Sequence, residues 1–278
     1  MPSKVDFIPG LAFVAFVLLG CCASQQPAEI LSKPVFQPGR DAVLPLKATT
    51  LELVWIQAIG GWVGKYELTA DQHRALGFRV RKQPQPAVHG SLPVTMVTFS
   101  EAEGACRKLN QLFRESLPTG YVFRLPRGQE FEVFARCDID RIFPWGNNWP
   151  PTELCDGVKP NLLGVERPEW VRNPEMGIPG YSDGWSAECP VEKSGRNEWG
   201  LYGVSGNVEE WTVESGVQPD RFLGTCRGGG WYSYRQTELA ITKFLRMPAI
   251  PGSFGCGVEG SHGFVSVGFR VVLLPARD

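Results

Sequence analysis

The chain contains no C-x-x-C pair, only three histidines and no cluster of basic residues. Each absence removes a class of function. Structural zinc and thioredoxin-type redox chemistry lose their usual signature with the missing C-x-x-C pairs. His73, His89 and His262 share no ligand spacing such as i and i+4, so an iron site of two histidines and a carboxylate is not indicated. Each histidine reads instead as a surface or hydrogen-bonded residue. Lys plus Arg total 28 against 29 Asp plus Glu, which leaves no electrostatic footprint for nucleic acid and excludes it as a partner. Long apolar runs of helical period are scarce too. What is abundant is aromatic and turn-forming: 9 Trp, 16 Phe and 32 Gly, the composition of short strands and structured loops rather than of a helical bundle.

The N-terminus reads as a separate unit. Lys4 precedes Phe7 to Gly20, a stretch with no charged or polar side chain that ends Leu18-Leu19-Gly20-Cys21. That run is short for a bilayer span but has the length of a signal-peptide core. The small residue before Cys21 resembles a bacterial lipobox, which implies cleavage after residue 20 and lipidation of the Cys21 sulfur. Two or three acyl chains, each methylene contributing roughly 0.8 kcal/mol, would anchor the chain to a membrane. With Cys22 rather than Asp next, the outer membrane is the expected destination, on its periplasmic or surface face. An exported chain with Cys106, Cys137, Cys155, Cys189, Cys226 and Cys256 admits disulfides, in pairings the sequence does not distinguish. Cys106 falls on the inward stripe of a helix and reads as a buried apolar residue.

Domain boundaries follow from composition. Residues 1–20 are the signal, 21–47 a tether punctuated by Pro27, Pro34, Pro38 and Pro45, and 48–278 a single α+β domain. Leu51, Leu53, Trp55 and Gly60-Gly61-Trp62-Val63-Gly64 predict two short strands around a turn. Thr69-x-x-Gln72 is a capping box opening a short helix that ends near Gly77, and Ser100-x-x-Glu103 is a second box. After the second, Ala102, Ala105, Cys106, Leu109, Leu112 and Phe113 repeat at three and four residues, giving one apolar face. Val94 to Phe99 alternates like a strand. A third short helix follows Pro126, no helix is expected beyond Cys137, and Gly263 to Leu274 is strand-like.

Four segments in order carry a resemblance: Val97–Ala102 with Tyr121–Arg136; Phe143-Pro144-Trp145-Gly146; Trp199–Trp211, reading WGLYGVSGNVEEW; and Arg227-Gly228-Gly229-Gly230-Trp231 with Gly268-Phe269-Arg270. Together they resemble the formylglycine-generating enzyme, or sulfatase-modifying factor, family from about residue 50 to the end. The resemblance implies a loop-rich, C-type-lectin-like mixed fold in which Arg124 and Arg270 are buried donors to loop carbonyls. Active members hold copper between two cysteine thiolates and oxidise the cysteine of a Cys-x-Pro-x-Arg peptide. The two positions that correspond are Ser233 and Glu238. A neutral hydroxyl and a hard carboxylate do not replace soft thiolates on Cu(I), so copper is not expected here. A rescue by Cys226 or Cys256 would require a free thiol in the pocket, and Cys226 lies on the opposite side of the turn. The competing expectation is an oxidoreductase acting on exported proteins through other ligands.

The resemblance also implies calcium. Asn161, the Leu162 carbonyl, Asp183 and the Trp185 carbonyl match a first loop, an all-oxygen set suited to a hard cation; an Asx turn at Asp183-Gly184 is the alternative. The Gly206 and Val208 carbonyls and Glu210 match a second loop whose preceding side-chain ligand is replaced by Gly203. Trp231, Tyr232, Tyr234 and Arg235 would line the former active-site face as a binding surface for a protein or small ligand, with a core position the equal alternative for Trp231. Relatives of this fold diversified by retroelements vary the interval that corresponds to Tyr232–Val267. A third expectation is an envelope protein that holds a complex together.

Overall fold

The computed structural model describes residues 33–81, 91–214, 223–248 and 266–276. The signal and Cys21 therefore lie outside the described residues, as do His89, His262 and Cys256. The domain belongs to the unit Ser32–Asp278. It begins earlier than composition implies, because strand β1 (Ala42–Leu46) falls inside the segment expected to be tether. Ala42, Leu44 and Leu46 alternate inward and pair with β2 (Thr49–Ile56) in the register Ala42↔Leu53. Pro45 hides this strand in the sequence, yet it is tolerated on an edge strand, where its missing amide interrupts no inner ladder.

A turn at Gln57–Ile59 leads from β2 into β3 (Gly61–Gly64), the expected hairpin. The first sheet runs β1-β2-β3-β9-β4, with β4 spanning Tyr121–Arg124 and β9 spanning Val272–Pro275. Successive residues of a strand face opposite sides, and both sides are covered. Leu53, Trp62 and Leu273 join one core with α2 (Phe99–Leu112). Val54, Val63 and Val272 join another with Phe131 and Phe134 of α3 (Gly128–Arg136). Trp62 is fully buried, with Phe36, Trp55 and Tyr121 packed edge-on around it. The second sheet runs β7-β6-β5-β8, from β5 (Glu209–Thr212), β6 (Leu223–Arg227), β7 (Leu245–Pro248) and β8 (Val267–Gly268).

The capping box at Thr69 and Gln72 opens α1 (Ala70–Ala75) as expected. The second box is displaced by two residues. Thr98, not Ser100, caps α2: its Oγ1 accepts the Glu101 amide at 3.1 Å, and Glu101 accepts the Thr98 amide at 2.8 Å. Both frames fit the S/T-x-x-E pattern. Arg81, bidentate to Glu101 at 2.8 Å, anchors the chosen one. No strand forms over Val94–Phe99, where Pro93 removes an amide and Met96 takes a φ of 58°. Past Cys137 two short helical turns do form among the described residues, a 3-10 turn at Val191–Lys193 and α4 (Gln236–Leu239). The closing strand-like stretch divides into β8 and β9.

Arg270 connects the two sheets. Its side chain is fully buried, donates to the Gly64 carbonyl of β3 at 2.8 Å and the Tyr202 carbonyl at 2.6 Å, and pairs with Glu210 of β5 at 2.6 Å. Arg124 holds the Leu125 carbonyl and the carboxylate of Glu130.

Candidate functional site

After β6 the chain reverses through Gly228-Gly229-Gly230, with φ of 89° and 67° at the first two, values that glycine adopts without the Cβ clash of other residues. The turn is closely packed: a Cβ on Gly229 would lie 2.4 Å from Leu239 Cδ2, and one on Gly230 2.7 Å from Glu209 Oε2. Ser233 closes it. Its Oγ accepts the Gly230 amide at 3.1 Å, its amide donates to the Gly230 carbonyl at 2.8 Å, and its carbonyl accepts the Leu163 amide at 3.1 Å. Glu238 caps α4. Oε2 accepts the amides of Tyr234 and Arg235, each at 3.2 Å, while Oε1 meets the Arg235 guanidinium at 3.2 Å. Both positions thus serve the backbone.

Cysteine chemistry is no better placed. Cys106, Cys137, Cys155 and Cys189 are free thiols. Burial pushes Cys106 and Cys137 up to about 12 and raises Cys189 well above the ordinary thiol value. Cys226 sits fully buried on β6, opposite Trp211, inside the first core. A thiolate is what binds Cu(I), and the described residues around the turn supply none. The copper of active members does not fit.

Two carboxyls that the sequence reading passed over lie beside this turn. Glu209 is buried against Gly230, and burial pushes it up to about 7 against a bond to Ser266. Glu188 rises to about 7 for the same reason, with Trp231 and Thr95 alongside opposing the shift. Adjacent Glu209 and Glu210 point to opposite faces of β5, and the double Glu in NVEEW was the available signal. His73 departs from expectation as well. It is neither exposed nor hydrogen-bonded, but stacked on Phe78 and buried near Phe269, and burial pushes it down to about 4, so it is neutral.

The residues of the expected first calcium loop come together. Asp183 accepts the Leu162 amide at 2.7 Å and the Trp185 amide at 2.8 Å, the latter forming the Asx turn. Asn161, buried, donates to the Ala187 carbonyl and to Asn207, which leaves its Oδ1 without a partner. That orphaned oxygen and the raised pKa of Asp183, about 6 through burial, fit a hard cation. In the second loop, Glu210 is committed to Arg270. Against it lies Glu67, fully buried, which accepts Asn207 Nδ2 at 3.0 Å through Oε1 while Oε2 has no partner. Burial, Glu210 and the opposing Arg270 together leave Glu67 raised to about 8. Among the described residues no three His, Cys, Asp or Glu converge.

The expected binding surface is only partly a surface. Trp231 is 3% exposed and belongs to the interior. Tyr232 stacks on Trp170 with centroids 5.7 Å apart, and Trp170, from a distant loop, is 42% exposed. Tyr234 is half-buried beneath the Arg235 guanidinium at 4.7 Å. The exposed indoles, Trp170 and Trp185, both come from the loop before the 3-10 turn Val191–Lys193 rather than from the segment after the glycines.

Two small sheets joined by a buried arginine, few helices, long ordered loops and a triple-glycine turn define a formylglycine-generating-enzyme-like domain. The chain belongs to the family of the sulfatase-modifying factor enzyme 1-like domain, whose model matches residues 55–273. It is 28% identical over 158 residues, 53% of this chain and 43% of the other, to the inactive C-alpha-formylglycine-generating enzyme 2 of Bos taurus. It is 31% identical over 94 residues, 33% of this chain and 27% of the other, to the formylglycine-generating enzyme of Thermomonospora curvata. The chain thus spans less than half the length of these curated relatives. Among solved structures, Treponema denticola variable protein 1 matches with a TM-score of 0.55 at 19% identity, covering 86% of this chain and 100% of the other. PvdO from Pseudomonas aeruginosa matches at 0.51 and 18% identity, covering 77% and 80%.

Proposed function

We propose that this chain is a noncatalytic member of its family, exported and lipid-anchored through Cys21, which uses the aromatic face beside the glycine turn to bind a protein or small ligand. One observation carries the reading: the side chains at the two former catalytic positions are held by their own turn and helix cap, through backbone amides and the Arg235 guanidinium. Ser233 Oγ holds the Gly230 amide, and the Glu238 carboxylate holds two amides of the α4 cap. The similarity to a protein named as inactive is in keeping with this. Trp170 on Tyr232 supplies a rigid, partly exposed platform of the kind that binds with little loss of rotamer freedom.

The test is turnover. The full chain with copper, oxygen and a Cys-x-Pro-x-Arg peptide should leave the peptide mass unchanged. Conversion of the cysteine to an aldehyde, abolished in Ser233→Ala, would overturn the reading and restore an oxidoreductase.

A further inference from the structure

We infer that the cleft between α2, β4 and the start of α3 binds a small carboxylate with an apolar body, such as a short acyl or single-ring acid. The cleft shares no residue with the aromatic face beside the glycine turn, so the inference does not depend on the binding role proposed above.

The cleft has a volume of about 250 Å³. Its floor is made by Cys106, Phe123 and Leu125, buried members of the first core, with the half-buried Val213 packed against them. Burial lifts the Cys106 thiol to about 12, so it stays protonated and the floor carries no charge. Around the floor stand three arginines from three elements: Arg107 of α2, Arg124 of β4 and Arg127 immediately before α3. They differ in how far they are committed. Arg124 gives both terminal nitrogens to Glu130, each at 2.7 Å. Arg107 reaches only Glu103, one helical turn away at 3.8 Å, with 64% of its side chain exposed, a contact that water screens and a ligand could replace. Arg127 forms no ion pair among the described residues. Three cations therefore stand against two carboxylates, Glu103 and Glu130, and one positive charge is in surplus at the mouth of an apolar hollow. Ligand sites combine a mostly apolar lining with a few charged groups of this kind, and the volume lies below the roughly 300–1,000 Å³ that drug-sized ligands fill, so the body is small. The planar fork of a guanidinium takes a carboxylate through two hydrogen bonds. A surplus of one charge suits a monoanion better than a doubly charged phosphate.

The experiment is calorimetric titration of the full chain with octanoate. One octanoate should bind saturably. Acetate, which lacks the apolar body, and 1-octanol, which lacks the charge, should each bind at least about tenfold more weakly, and octyl phosphate should bind no more tightly than octanoate. Arg127→Gln should weaken octanoate by about tenfold, the effect of losing a hydrogen bond to a charged group. Val213→Trp, which fills the hollow, should abolish binding. Circular dichroism reports whether each variant folds; should Val213→Trp not fold, Arg107→Gln, at an exposed position, takes its place and should also weaken octanoate. Trp170→Ala should bind octanoate as wild type does, which separates this site from the aromatic face. No saturable binding, equal affinity for 1-octanol, tighter binding of octyl phosphate, full affinity in Arg127→Gln, or loss of binding in Trp170→Ala would overturn the inference.

Discussion

Truncating Glu238 to alanine removes no metal ligand; it removes a helix cap. The Tyr234 and Arg235 amides lose the oxygen that each reaches at 3.2 Å. Loss of a capping side chain costs about 1 kcal/mol, within a range of roughly 0.5–2. The contact with the half-exposed Arg235 guanidinium adds little, because water screens it. Ser233→Ala strips the Gly230 amide of its Oγ partner and costs about another 1 kcal/mol. The two groups share no partner, so the double variant should lose about 2 kcal/mol. A loss of that size lowers the melting temperature by about 4–8 °C in a domain of this size. Glu238→Gln keeps an acceptor oxygen and should recover most of its share. Thermal melts followed by circular dichroism compare the four variants with wild type. The reasoning fails if Glu238→Ala melts with wild type, or if Glu238→Gln is as damaging as Glu238→Ala.

Three further outcomes follow from the buried polar groups and the aromatic face. Arg270→Met would leave Glu210 buried and unpaired, at a cost of about 3–5 kcal/mol; a urea melt should show it far larger than the effect of Arg235→Ala. Glu188 and Glu209, both raised to about 7, bind protons in the folded state that the unfolded chain has already released above about 4.5. Their contribution is therefore complete below about 4.5 and lost as pH rises to about 7. His73, lowered to about 4, works in the opposite sense between about 4 and 6.5, but one imidazole does not offset two carboxyls. The melting temperature should fall from about pH 5 to pH 7, and Glu209→Gln should flatten part of that slope. Trp170→Ala should leave the melting temperature nearly unchanged while removing one ring of the stacked pair, so a change in tryptophan fluorescence on ligand addition should vanish without loss of fold.

Local rules carried much of the fold. The Thr69 box, the apolar stripe of α2 and the hairpin from β2 to β3 each follow from neighbours a few residues apart. Failures came where local signals competed or gave way to distant ones. Two overlapping S/T-x-x-E frames were resolved by Arg81, from another segment, and Pro45 masked a strand whose inward residues alternate normally. The site suffered most, because its partners are remote in sequence. Trp170 meets Tyr232, and Glu67 enters the space beside Gly203, through loops whose course no periodicity encodes. Trp231 followed the glycine turn onto the expected binding face with a core position as the equal alternative, and burial decides for the core. Ser233 and Glu238 were legible as replacements, but their hydrogen bonds to the turn and the α4 cap were not.

Copper affinity bears most directly on the claim that the former catalytic positions now serve the backbone. The full chain is titrated against a colorimetric Cu(I) chelator under reducing conditions. We expect the chelator to keep its copper, with Ser233→Ala and Glu238→Ala indistinguishable from wild type. Stoichiometric withdrawal of Cu(I) by wild type, lost in either variant, would contradict the account.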